Sequence, residues 1–219
     1  MTTYKQIFNE WKRLLSEENE VESLRILDFD ETIAWTGESV FIRDADGNIA
    51  EELDSSEFKD HDLTPEQIDL GYYYDFSEFD DVDIEKAVAN NYVTSILRNF
   101  ISADNPEKRI ILILTARSQE AESGIRNLLG YLGLESPNID IVGVGTSRAE
   151  KKVDKVREYL ELNPQIERVS FFDDSGENVY AMASFLQDYK NVRPGLKYDV
   201  AVVNEDGTLT RIKEEGIIL

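Results

Sequence analysis

A chain of 219 residues with 41% hydrophobic and 10% aromatic content can bury a substantial core, so its formal charge of −22 does not signal disorder. The absence of cysteine excludes disulfides and thiol catalysis and permits a reducing interior. The excess of 45 acids over 23 bases repels nucleic-acid backbones and anionic membranes from the general surface, although a local Lys/Arg cluster or a metal can reverse the field at one small site.

Tyr4, Ile7, Phe8, Trp11, Leu14 and Leu15 recur at helical spacing and predict an opening amphipathic helix packed on the domain. This N-terminus is charged and lacks a signal-peptide core. Nor does the chain hold an apolar run of about 18 residues that could span a bilayer. A soluble, cytoplasmic setting is expected. The first strand is predicted at about Leu24 to Phe29, ending in Asp28 and Asp30 with Thr32 close behind.

After Thr36-Gly37 the character changes, and residues 37–105 read as an inserted small cap. Val40 to Arg43, a turn at Asp44 to Gly47, and Asn48 to Leu53 predict a hairpin. Gly47 stands too early for an EF-hand loop, so the Asp44/Asp46 pair is assigned to the turn. Thr64-Pro65-Glu66-Gln67 carries the signature of a capped helix start. Tyr72, Tyr73, Tyr74, Phe76 and Phe79 alternate with acids; without interleaved bases they suit the core of a cap better than a nucleobase platform. The lone His61 is expected on the surface of the insertion. Asp80, Asp81 and Asp83 are expected to lead a helix through Ile84, Val88, Ile96, Leu97, Phe100 and Ile101, where acids suit the helix dipole.

From Arg109 onward strands and helices alternate. Ile110 to Leu114 is a continuous apolar run, as in a strand covered on both faces. A helix through Ile125, Leu128, Leu129 and Leu132 follows, then a strand from Ile139 to Val144. A basic helix over about 149–162, a strand at Val169 to Phe172, a helix near Val179 to Leu186 and a strand at Asp199 to Val203 complete the core. A C-terminal hairpin is placed at about 198–213. The expectation is one domain, 1–219, of α/β class: a doubly wound parallel sheet with core segments 22–36 and 106–203.

In such a sheet ligands sit at the carboxyl ends of the strands. Asp28 and Asp30 close the first strand, Thr115-Ala116-Arg117 the second, and Asp173-Asp174 the fourth, while Lys151, Lys152 and Lys155 lie on the helix after the third. Two carboxylates at a strand end can hold a cation, and one can attack while the other moves protons. The Asp-x-Asp pair alone is unspecific, since it recurs at Asp44/Asp46, Asp60/Asp62 and Asp81/Asp83. All four groups in this order resemble the motifs of the haloacid dehalogenase-like (HAD) superfamily of phosphotransferases. Leu114-Thr-Ala-Arg117 and Phe172-Asp-Asp-Ser175 resemble more narrowly the phosphatase domain of phage polynucleotide kinase-phosphatases and related viral HAD proteins.

The resemblance implies a Mg²⁺-dependent phosphomonoester hydrolase with a Rossmann-like fold. It makes Asp28 the nucleophile that forms an aspartyl-phosphate and Asp30 the acid/base. It assigns Thr115, Arg117 and one lysine to the substrate phosphate, and Asp28, Asp30 (through its backbone), Asp173 and Asp174 to the metal. The helical register favours Lys152 over Lys155, because Val156 and Leu160 follow it at four and eight residues. The acidity favours a nucleotide or other small phosphomonoester as substrate. A polynucleotide 3′-phosphatase of repair type, drawing on the basic cluster Arg148, Lys151, Lys152, Lys155 and Arg157, is the alternative. A non-catalytic HAD-like binding module is a third reading, against which stands the retention of Asp28, Asp30 and Asp173.

Overall fold

The computed structural model describes residues 21–54, 57–58, 61–213 and 216–217. The expected opening helix with Tyr4 and Trp11 lies outside them. In chain order the elements are β1 (Ser23–Leu27), β2 (Ala34–Trp35), β3 (Val40–Arg43), β4 (Ile49–Leu53), α1 (Pro65–Asp69), β5 (Tyr73–Asp75), β6 (Val88–Ala89) and α2 (Asn91–Ser102). There follow β7 (Arg109–Thr115), α3 (Glu122–Tyr131), β8 (Ile139–Gly143), α4 (Ala149–Leu162), β9 (Arg168–Asp173), α5 (Gly176–Val192), β10 (Lys197–Val203), β11 (Leu209–Lys213) and β12 (Gly216–Ile217).

The main sheet has the order β12-β11-β10-β9-β1-β7-β8. Strands β10, β9, β1, β7 and β8 are mutually parallel, and β11 and β12 add an antiparallel edge. Parallel strands need crossover helices, which cover both faces and explain the unbroken apolar run of β7. On one face α2 and α3 bury Val93, Leu97, Ile125 and Leu128 against Leu27, Ile111 and Ile113. On the other, α4 and α5 bury Val156, Leu160, Val179 and Met182 against Leu24, Ile26 and Leu112. The expected doubly wound α/β architecture is the observed one.

Residues 37–105 do not behave as one insertion. A two-stranded ribbon of β2 and β6 carries the chain out of the core and back. Between them lies a three-stranded sheet, β4-β3-β5, over a small cluster of Val40, Ile42 and Leu53. Helix α2 instead belongs to the core packing. Its start also differs from expectation: Val88 is drawn into the ribbon, and Asn90 caps the helix by accepting from the backbone N–H of Tyr92 and Val93. Asp80, Asp81 and Asp83 therefore lie well before the helix, not at its N-terminus. An amide cap satisfies the free N–H groups directly, which a charge-only reading of the acids overlooked.

Within the insertion the local signals were reliable. Asp44 accepts from the N–H of Asp46 and Asn48, fixing the hairpin turn, and Thr64 and Gln67 form the reciprocal capping box. His61 is half-buried rather than on the surface, with Nδ1 2.8 Å from the Tyr74 hydroxyl. Tyr74 also meets its ring edge to face, and Phe58 packs edge to face on both Tyr74 and Phe76.

Candidate active site

The parallel strands deliver Asp28 (after β1), Thr115 (end of β7) and Asp173 (end of β9) to one edge of the sheet. Two turns then shape that edge. Asp28 donates its backbone N–H to the Phe172 carbonyl, which prolongs β1–β9 pairing to the first carboxylate. Glu31 adopts φ +56, and the chain folds back so that the Ile33 N–H reaches the Phe29 carbonyl. A left-handed non-glycine residue beside two acids is the kind of strained turn that clusters at functional sites.

Asp28 and Asp30 are two residues apart yet enter different networks. Asp28 is 6% exposed, and its Oδ1 accepts from Lys152 Nζ at 2.6 Å. The same ammonium reaches Asp173 Oδ2 at 2.8 Å. Asp173 is held in turn by the Ser175 N–H and the Asn178 side-chain amide. Burial opposes the charge on Lys152, but Asp28 and Asp173 outweigh it and hold its pKa above the ordinary value. Burial raises the Asp28 pKa well above the carboxylate range; Lys152 works against this, and Asp173, Asp174 and Asp30 push it further up.

Ligand oxygens of Asp28, Asp173 and Asp174 lie within 4.8 Å of one another. Three carboxylates sharing one ammonium leave a surplus of negative charge, and an all-oxygen donor set suits a hard divalent ion such as Mg²⁺. The residues fit such an ion on that chemistry. Asp174 is oriented by Thr32, whose hydroxyl oxygen accepts from the Asp174 N–H at 3.0 Å. The Asp30 carboxylate is not part of this group.

Asp30 faces Arg117. The guanidinium Nε lies 3.1 and 3.0 Å from the two Asp30 oxygens, and Nη2 lies 2.7 Å from Oδ1. Nη2 also donates to Thr36 Oγ1 and Glu38 Oε2, and Nη1 to the carbonyls of Phe79 and Asp81. Rings of Phe29 and Phe79 stand 5.2 and 5.0 Å from the guanidinium carbon. An arginine has five N–H donors. All three nitrogens are engaged within the protein, and its side chain is 1% exposed. Thr115 Oγ1 accepts from the Arg117 N–H and lies 3.4 Å from Asp30 Oδ2. Gly143 completes this corner, since a Cβ there would collide with the Ser118 carbonyl oxygen.

The geometry thus brings together Asp28, Asp30, Thr115, Arg117, Lys152, Asp173 and Asp174. Lys155 is elsewhere, on an exposed face with Glu158 at 2.6 Å. Arg157 pairs with Asp154 and stacks over Phe185, so the basic helix is partly neutralised by its own acids. Sequence reasoning missed Thr36, Glu38 and Asn178. Asn178 had a readable signal, as the third residue of a helix capped by Ser175 directly after the acidic pair. Glu38 had none: it is an isolated acid in an acidic chain, and only the folded insertion buries it.

No family model and no curated protein matches this sequence. Among solved structures the chain is similar to cytosolic 5′-nucleotidase IIIB bound to cytidine, at 14% identity and a TM-score of 0.43. That likeness covers 86% of this chain and 76% of the other. No described helix is long and apolar enough to cross a membrane.

Proposed function

We propose that this chain is a HAD-type phosphomonoester hydrolase working through an aspartyl-phosphate on Asp28. The observation that carries the reading is the division of labour between the two carboxylates. Asp28 shares a buried cation and a potential metal site with Asp173, whereas Asp30, two residues on, is oriented separately by Arg117. A Mg²⁺ ion held by Asp28, Asp173 and Asp174 would supply the positive charge that lets an anionic nucleophile approach a phosphate dianion.

Lys152, which has a third N–H beyond those given to Asp28 and Asp173, and the Thr115 hydroxyl would bond phosphoryl oxygens, adding charge and orientation. An Asp28 oxygen attacks phosphorus as the bond from phosphorus to the leaving oxygen breaks, and Asp30 donates a proton to that oxygen. Asp30 then takes a proton from water, the hydroxide oxygen attacks phosphorus, and the bond to Asp28 breaks, releasing phosphate and restoring both acids. Arg117 serves this cycle by holding Asp30 in place, in preference to the phosphate-binding role expected from sequence, because its donors are already taken.

A nucleotide or other small phosphomonoester is the preferred substrate. Insertion residues Phe79, Asp80 and Asp81 touch Arg117 and Ser118, so this element stands beside the acid/base and can bound the substrate. The pairing of Lys155 and Arg157 with neighbouring acids weakens the case for a polynucleotide groove. The test is phosphate release with and without Mg²⁺, comparing mononucleotides and sugar phosphates with a 3′-phosphorylated oligonucleotide at two salt concentrations. A strong oligonucleotide preference that fades with salt would establish the repair-type alternative. No release from any of these would leave the binding-module reading.

A further inference from the structure

The opposite end of the sheet carries a second charged constellation that the proposed chemistry does not use. Strand register places Arg109, Ser23, Arg168 and Lys197 in one row across β7, β1, β9 and β10. Registered partners point to the same face, so the three cations share it with Ser23 as a small residue between the two arginines. Arg25 follows two residues along β1, on the same face, with its guanidinium 5.2 Å from the Phe100 ring of α2. Four bases therefore converge at the amino-terminal edge of the sheet, in a chain with about two acids for every base.

Among the described residues two nearby acids are already engaged. Glu22 is held by Lys108 at 2.7 Å, and Asp199 by Arg211 at 3.2 Å. Arg25 donates to the Ser170 hydroxyl, but among the described residues neither its buried Nε nor the buried Nη1 of Arg109 has a hydrogen-bond partner. Among the described residues no ion pair or hydrogen bond engages the Arg168 or Lys197 side chain. Burial first, and then repulsion from Arg109 and Arg168, press the Arg25 pKa downward, and attraction from Asp199 offsets this only in part. Uncompensated like charges that leave buried donors unmade are costly. An anion supplying several acceptor oxygens relieves both defects.

We infer that Arg25, Arg109, Arg168 and Lys197, with the Ser23 hydroxyl between the arginines, form a binding site for a phosphoryl oxyanion remote from the catalytic end. Arg109 and Arg168 flank Ser23 on neighbouring strands, about 10 Å apart at the backbone, and their long side chains can close on one tetrahedral anion. Ser23 stands five residues before Asp28, or about 17 Å along an extended strand. The site is therefore not an extension of the substrate pocket. Its ligand is either free phosphate or the phosphoryl group of a longer molecule, which share the same chemistry.

The test uses the full chain in excess EDTA at constant ionic strength, with wild type and the variant Arg168→Gln/Lys197→Gln. Both replaced residues are exposed, so the fold tolerates the change. Without phosphate the variant melts about 2–4 °C higher, because repulsion is relieved. Inorganic phosphate raises the wild-type melting temperature saturably, and the variant needs at least tenfold more to match it, while kcat and KM for p-nitrophenyl phosphate with Mg²⁺ stay unchanged. A parallel titration with an unphosphorylated single-stranded oligonucleotide separates the sources: stronger protection than by phosphate assigns the site to a phosphodiester chain. The inference fails if the variant melts lower than wild type without phosphate, if phosphate protects both proteins alike, or if chloride at equal ionic strength does as well. The melting readouts require no turnover, so they stand apart from the test of the hydrolase.

Discussion

Two carboxylates separated by one residue show how differently the two parts of this molecule are built. The surroundings of Asp28 come wholly from the core: a strand end, the Asp173 strand end, and Lys152 from a crossover helix. Those of Asp30 join the core to the insertion, because Arg117 binds Asp30 while also binding Glu38 and the carbonyls of Phe79 and Asp81. The first network is fixed by sheet topology and is complete as soon as the core folds. The second exists only when the insertion is docked. On the proposed mechanism nucleophilic attack and proton transfer thereby depend on different parts of the fold, and substitutions should separate them.

Asp28→Asn gives the largest effect. The amide keeps the shape but cannot attack phosphorus, so turnover should fall to background while circular dichroism stays native. Near wild-type release of phosphate by the folded variant would rule out the aspartyl-phosphate. Asp30→Asn should slow turnover by about 10²–10⁴-fold, the usual span for a lost acid/base. It should slow least with p-nitrophenyl phosphate, whose leaving group needs little protonation. Equal losses on all substrates would confine Asp30 to the hydrolysis of the intermediate, and no loss on any would remove it from proton transfer.

Lys152→Met probes the core network through stability as well as rate. Removing one partner of a buried ion pair leaves uncompensated charge and costs about 3–5 kcal/mol. Here it leaves two carboxylates, so Mg²⁺ should restore more stability to the variant than it adds to wild type. Melting curves with and without Mg²⁺ check this, and an equal Mg²⁺ response in both proteins would contradict a shared site for Lys152 and metal.

Arg117→Lys keeps the charge and loses the planar fork. If Arg117 orients Asp30, kcat falls with little change in KM, and the insertion becomes more open to limited proteolysis between residues 37 and 89. If Arg117 binds substrate phosphate instead, KM rises and proteolysis is unchanged.

The same contrast explains what was legible in the sequence. Core strands announce themselves as apolar runs, and the residues that follow them must lie at the ligand edge, so Asp28, Thr115 and Asp173 could be placed without coordinates. The resemblance called for a lysine on α4, and helical register favoured Lys152 over Lys155. The insertion offers only short-range signals, which fixed its turn at Asp44 and its cap at Thr64 but not its long-range contacts. Neither the burial of Glu38 nor the seating of Arg117 between Phe29 and Phe79 leaves a periodic trace. The start of α2 was misplaced for a related reason: the pairing of Val88 with Trp35 is non-local and overrides the helical pattern that continues through it.

The smallest expected effect sharpens the assignment of the lysine. Lys155 stands three residues beyond Lys152 on the same helix, and from sequence both could face the site. Its ammonium instead pairs with Glu158, three residues on, at a half-exposed surface. Exposed pairs of this kind contribute about 0–1 kcal/mol. Lys155→Gln should therefore leave kcat, KM and the Mg²⁺ response at wild-type values and move the melting temperature by no more than about 4 °C. The comparison with Lys152→Met is decisive because the two substitutions remove the same charge from one helix, so a general field effect would weaken both alike. A loss of activity in Lys155→Gln matching that of Lys152→Met would mean that α4 turns in the working enzyme and that the buried Lys152 is a core ion pair, not the group that meets phosphate.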